Sequence, residues 1–154
     1  MTKIVPIIMF CLLANHCGAS EDKILKLLIE NRSCYGCNLS KVNLGNYKLF
    51  KVDLSGADLS ESYLVNVDLG NANLSSSDLS NTYMNGANLS DATLVKTNFS
   101  GAELELADFS QALFVDVNLV DAYLLHASIS EEQLNNAQLC KTVLPDASTS
   151  NRDC

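Results

Sequence analysis

The chain has 154 residues, 47% of them hydrophobic but only 6% aromatic, with no tryptophan. That length holds one domain, and an interior so poor in rings fits a narrow repeated core better than a conventional globular one. The formal net charge of −8 repels a phosphate backbone, which excludes direct nucleic-acid binding from the expected functions.

The N-terminus stands apart from the rest. Lys3 makes a short basic start, residues 4–14 are apolar throughout, and Cys17-Gly18-Ala19 sets small residues before a cut after Ala19. This three-part layout predicts a signal peptide over residues 1–19. Its apolar run is too short to cross a bilayer as a helix, so no membrane span is expected after cleavage. A buried N-terminal helix is the other reading. A lipoprotein anchor at Cys17 is the poorer fit, because Asn15 and His16 occupy positions where small residues are wanted.

Residues 20–33 read as a capping helix. Ser20 is a suitable N-cap, and Ile24, Leu25, Leu27, Leu28 and Ile29 form an apolar set able to cover whatever core follows. The mature chain would keep Cys34, Cys37, Cys140 and Cys154. Four cysteines in an exported protein predict disulfides. Three pairings are open, and Cys34–Cys37 with Cys140–Cys154 is the most local. The CxxC at 34–37 lacks the βαβ context of a redox motif and a second nearby ligand pair for zinc. A structural disulfide locking the helix to the first coil is expected there, with no metal and no cofactor.

From Leu39 onward every fifth residue is large and apolar, running through Leu59, Leu79, Phe99, Phe109, Phe114 and Leu119 to Leu144. Two residues before each is a small or β-branched residue, Ala57, Ala72, Ala87 and Ala92 among them, with Tyr47 and Glu132 as exceptions. A step of five walks around an α-helix and alternates faces on a straight strand. It keeps one side inward only if the chain turns a corner once per unit. The small residue and the large one then both point in, the residue between them points out, and Ser, Gly, Asn and Asp supply the corner. Outward residues test the number of sides. Tyr63, Tyr83 and Tyr123, and separately Asn38, Asp58, Asp78, Asn98 and Asn118, recur at multiples of twenty, which stacks each set on one face of a four-sided coil.

The units GADLS (56–60), NANLS (71–75), GANLS (86–90) and GAELE (101–105) resemble the signature of the pentapeptide-repeat family, and the likeness covers residues 37–129 without an insertion. The resemblance implies an all-β solenoid, a right-handed quadrilateral parallel β-helix, here expected over 34–129 with the N-terminal capping helix beneath it. Ser130-Glu131-Glu132-Gln133 has the form of a capping box. A short helix over about 130–138 is therefore expected within a C-terminal cap spanning 130–146; it would keep Glu132 out of the core. Residues 147–154 are polar and expected to be a loose tail.

The chemistry on offer is sparse. His126, the only histidine after the signal, falls at a corner, and no triad can be assembled around it. Phe99, Phe109 and Phe114 lie on three sides of one coil and read as core. Tyr63, Tyr83, Glu103 and Tyr123 share an outward column, either a binding surface for sugars or proteins or plain cross-coil packing. The expected function is a non-catalytic exported scaffold or binding module, periplasmic or secreted, with a protein or envelope component as partner. Some members of the family mimic DNA and bind DNA gyrase; the acidic charge suits that alternative and export opposes it. An enzyme is the third and least supported reading.

Overall fold

The computed structural model describes Lys26 and residues 28–154. The signal-like stretch 1–19, and Ile24, Leu25 and Leu27 of the expected capping helix, lie outside the described residues.

One local device makes the corners. The outward residue of a unit is usually Asp or Asn, and its Oδ1 accepts the backbone N–H two positions on: Ser55 to Asp53 at 3.1 Å, Ser60 to Asp58 at 3.0 Å, Ser75 to Asn73 at 3.1 Å and Ser90 to Asn88 at 3.0 Å. These are Asx turns, in which the side chain supplies the acceptor that bends the chain. The next residue is left-handed, with φ of 63° at Asn46, 55° at Asn66 and 57° at Asn71. Asn tolerates that region better than most side chains. Gly101 takes the same conformation at φ 67°, and an added Cβ would lie 2.6 Å from Asn81 Oδ1.

Each unit pairs with the unit twenty residues on, always in parallel, so the outward residues form columns. The first face carries Ser33, Asp53, Asn73, Thr93 and Leu113; the second Asn38, Asp58, Asp78, Asn98 and Asn118. The third carries Asn43, Tyr63, Tyr83, Glu103 and Tyr123; the fourth Lys48, Asp68, Asn88, Asp108 and Ser128. Amides cross-link the columns, with Asn73 Nδ2 donating to Asp53, Asn88 to Asp68, Asn98 to Asp78 and Asn118 to Asn98 at 2.9–3.2 Å. Above Ser33, Thr93 and Leu113 are the first-face residues that are neither Asp nor Asn. There the pairing runs further, as strands β1 (Thr93–Val95) and β2 (Leu113–Val115).

Every large centre from Leu39 to Leu124 is buried, each contributing about 1.5–3 kcal/mol by leaving water. Ile129, Leu134 and Leu144 are only partly buried. Where the small inward position carries a hydroxyl, it donates to a main-chain carbonyl: Ser62 to Leu39 O at 2.8 Å, Thr82 to Leu79 O at 2.7 Å, Thr97 to Leu74 O at 2.9 Å. That bond offsets its desolvation. Phe109 meets Phe99 edge-on at 6.0 Å and Phe114 at 5.5 Å, one coil's interior filled by three rings.

At the C-terminal end the sequence period continues but the backbone departs from it. Ser130 caps α1 (Glu131–Asn135), its hydroxyl accepting from Gln133 N while Gln133 reaches back to the Ser130 amide. The Gln133 amide group donates to Phe109 O at 2.7 Å and Ala112 O at 2.9 Å. It thus replaces a backbone donor that a sixth rung on the first face would have supplied. Glu132 is exposed. The helix ends earlier than expected, and the solenoid resumes with β3 (Val117–Asn118) pairing β4 (Ala137–Gln138). The tail is a second correction, because it is not loose. β5 (Thr142–Val143) pairs antiparallel with β6 (Thr149–Ser150), and Leu139 N and Lys141 N donate to Asp153 Oδ2 at 2.7 Å and Asn151 Oδ1 at 3.2 Å. These amides need acceptors because no further coil lies above them.

Candidate functional site

The third face presents the most individual surface. Tyr63, Tyr83, Glu103 and Tyr123 follow one another in register, about 4.8 Å apart as successive strands must be. The tyrosines are 46%, 48% and 37% exposed. Their backbones are tied above and below, for example Tyr83 N to Ser62 O at 3.0 Å and Met84 N to Glu103 O at 2.7 Å, so the rings stand on a stiff base. The Tyr63 ring leans over Gly45, where a Cβ would come within 2.8 Å of it. Asn85 Nδ2 donates to Glu103 Oε2 at 3.3 Å, which orients the one carboxylate among the rings. Chemically this is a flat aromatic strip with hydroxyl tips and a single oriented anion.

The remaining sequence-predicted residues are accounted for elsewhere. Cys34 pairs with Cys37 and Cys140 with Cys154, with Cα separations of 5.4 and 4.9 Å. The first bridge spans the first corner, where Cys37 N donates to Cys34 O at 3.3 Å. The second ties the tail to the end of β4's segment. Leu39, Leu59, Leu79, Phe99 and Leu119 stack as successive centres beneath the second face, all buried, and Phe109 and Phe114 are core. His126 is exposed at a left-handed corner, φ 58°. Clefts flank α1 where the first face ends, lined by Ser110, Leu113, Phe114, Glu132 and Gln133 among others.

In the tail, Arg152 holds the Asp153 carboxyl below its ordinary value of 3.8, with help from the Leu139 amide. Ser148 does the same for Asp146 through its hydroxyl and its amide.

One feature was present in the sequence but hidden by the net charge. Residues 1–52 hold seven basic and three acidic side chains, whereas residues 53–140 hold thirteen acidic ones and the single Lys96. Among the described residues this becomes a basic first coil, with Lys41, Lys48 and Lys51, under an acidic rod. A running charge count along the columns would have found it.

A rod of stacked four-sided coils, with its interior filled and its individuality confined to outward columns, is a β-solenoid of the scaffold type. A family model described as pentapeptide repeats matches in eight copies, over residues 33–64, 53–91, 62–101 and 72–111, and the chain belongs to that family. The four-sided solenoid is accordingly a right-handed quadrilateral β-helix. Among solved structures it is similar to HetL, a pentapeptide repeat protein involved in heterocyst differentiation regulation in the cyanobacterium Nostoc sp. strain PCC 7120. The identity is 28% over 71% of this chain, with TM-score 0.53. The chain spans 48% of HetL. It is also similar to Rfr23 from the cyanobacterium Cyanothece 51142, 30% identical over 70% of this chain and 86% of that one, TM-score 0.37. QnrB1, a plasmid-mediated fluoroquinolone resistance protein, is 16% identical over 71% of this chain and 61% of its own, TM-score 0.31. No curated protein sequence matches the chain.

Proposed function

We propose that this protein is an exported, non-catalytic binding scaffold whose contact surface is the column of Tyr63, Tyr83, Glu103 and Tyr123, directed at a protein or another component of the cell envelope. The observation that carries the reading is three half-exposed rings held in register on a rigid face. Tyrosine gives large contact area at little conformational cost, with a polar tip for specificity. Export is supported by two disulfides, which persist in oxidising compartments, together with the signal-like layout of 1–19. In this reading residues 20–33 cap the first coil. Leu28, 1% exposed and packed with the core, supports that role, although Ile29 is 54% exposed and does not share it. Residues 34–129 are the scaffold, and 130–154 close its upper end.

A photo-crosslinking side chain at position 83, compared with one at position 73 on another face, tests the surface in intact producing cells. Crosslinks to an envelope component from 83 alone are expected. Equal labelling from both positions, or none from 83, overturns the proposal. An intact mass measured without reductant, beginning near Ser20 and lighter by two disulfides than the reduced form, tests export.

The acidic stretch 53–140 favours a second reading, a DNA-mimicking rod that binds DNA gyrase. A supercoiling assay separates the two, since the first predicts no change in gyrase activity at excess protein.

A further inference from the structure

We infer that the first coil is a docking surface for an anionic lipid bilayer, on which the rod stands end-on with its acidic length directed away. This goes beyond the proposed tyrosine surface and rests on different residues.

The cations are concentrated at one end. Lys26, Arg32, Lys41, Lys48 and Lys51 all lie at or below the first coil, and Lys96 alone interrupts the acidic stretch above. Three exposed apolar side chains occupy the same end, Ile29 at 54%, Tyr35 at 76% and Phe50 at 39%. Tyr35 and Phe50 flank the lower end of the first face. At one of its corners the Arg32 guanidinium donates to Phe50 O, and Lys51 Nζ sits 5.1 Å from the centroid of the Phe50 ring. At the other corner Tyr35 projects beside Gly56. Cations next to exposed aromatic and aliphatic side chains suit the headgroup boundary, where rings enter the interface and Lys and Arg meet lipid phosphate.

Among the described residues, the acids near this surface are mostly engaged. Glu30 pairs with Lys26 at 3.9 Å and Glu61 with Lys41 at 3.4 Å. Asp53 and Asp68 spend Oδ1 on the Ser55 and Gly70 amides. Arg32, Lys48 and Lys51 form no ion pair among the described residues. A plane can meet the basic end without meeting the acidic faces, whereas a nucleic acid running along the rod would lie against one of those faces and gain nothing from Ile29. Among the described residues no helix is long and apolar enough to cross a membrane, so the contact is peripheral.

The test is co-sedimentation of the protein, as matured by its host, with phosphatidylglycerol–phosphatidylcholine vesicles and with pure phosphatidylcholine vesicles. Binding to the anionic vesicles alone, weakening as salt is added, is expected. The variant Lys41→Asn/Lys48→Asn/Lys51→Asn removes three charges, using a residue already present at the corners Asn46, Asn66 and Asn71 and, for Lys48, at Asn88 in the same column. At about fivefold per cation near the surface, it should lose on the order of a hundredfold in affinity with an unchanged melting temperature. Tyr35→Ser/Phe50→Ser should weaken binding without changing its salt dependence, and Lys96→Asn should change nothing. Three results would overturn the inference: no sedimentation with anionic vesicles at low salt, equal binding to neutral ones (as an attached 4–14 segment would give), or equal losses from Lys96→Asn and the triple variant. Protein that pellets without vesicles, and does so through the same lysines, would also overturn it in favour of self-association. Tyr63→Ser/Tyr83→Ser should leave vesicle binding intact, so the two surfaces fail independently.

Discussion

The middle coils and the last one are made from the same five-residue unit, yet they close their hydrogen bonds differently. In the middle, Leu79 N donates to Asn98 O at 2.7 Å and Asn81 N to Ser100 O at 2.8 Å, backbone to backbone, coil upon coil. At the top, the equivalent amides of Leu139 and Lys141 donate to the side chains of Asp153 and Asn151, while Leu144 N donates to Ser148 O at 2.8 Å. On the first face, the Gln133 side chain supplies the donor that a strand would have supplied. The lesson is that the solenoid requires a partner at each position but not a particular element. A short tail with well-placed oxygens ends the stack and leaves little bare edge for another chain to pair with.

If that is right, damage to the middle should be costly throughout the molecule and damage to the top should stay local. Phe109→Ala removes a fully buried ring touching two others; it should cost about 3–5 kcal/mol, measured by denaturant unfolding. Leu144→Ala, at a partly buried centre, should cost a fraction of that. The next largest effect is expected at the disulfides. Cys140→Ser/Cys154→Ser opens a loop with a sequence separation of 14 and should cost about 3 kcal/mol, against about 2 kcal/mol for Cys34→Ser/Cys37→Ser, where the closed loop is far shorter. Equal losses in thermal melts would mean the tail does more than close a loop. Gly101→Ala forces a Cβ into a left-handed corner and onto Asn81, for about 1–2 kcal/mol, whereas Asn81→Gly should be near neutral. A cost for Asn81→Gly as large as for Gly101→Ala would show that the corner depends on the amide contact and not on backbone freedom.

The smallest effect is in acid. Asp146 and Asp153 have carboxyls held below 3.8 in the folded protein. A group depressed in this way supports the fold above its unfolded value and loses that support as pH falls through the native one. The latch should therefore be intact at neutral pH and begin to open only below about pH 4, seen as faster amide exchange at Leu139 while the middle coils remain protected. Asp153→Asn should bring that faster exchange to neutral pH.

Much of the scaffold was legible because every unit repeats one physical demand. An inward centre, a small partner two residues before it and turn-forming corner residues require a coil, the twenty-residue recurrence of outward residues gives it four sides, and Phe99, Phe109 and Phe114 could then be placed on three sides of one turn. The C-terminal helix could be read from Ser130 and Gln133, because a capping box is local chemistry. Its end could not, since the return to β4 at Ala137 depends on the coil below. The tail was misread because Asp153 and Asn151 look like ordinary solvated residues until the unpaired amides of Leu139 and Lys141 lie opposite them. The tyrosine column emerged from the twenty-residue step. The basic first coil did not, because a single net charge sums two regions of opposite sign.

The corners carry a further consequence, for how such a chain can change length. Duplication of one twenty-residue coil adds a single rung to every face, about 4.8 Å, and leaves each column's chemistry where it was. Duplication of one five-residue unit turns everything downstream by a quarter, so Tyr123 would join a different face from Tyr63 and Tyr83. Lineages of this rod should therefore lengthen in whole coils wherever a face has acquired a use, and drift in single units only where none has.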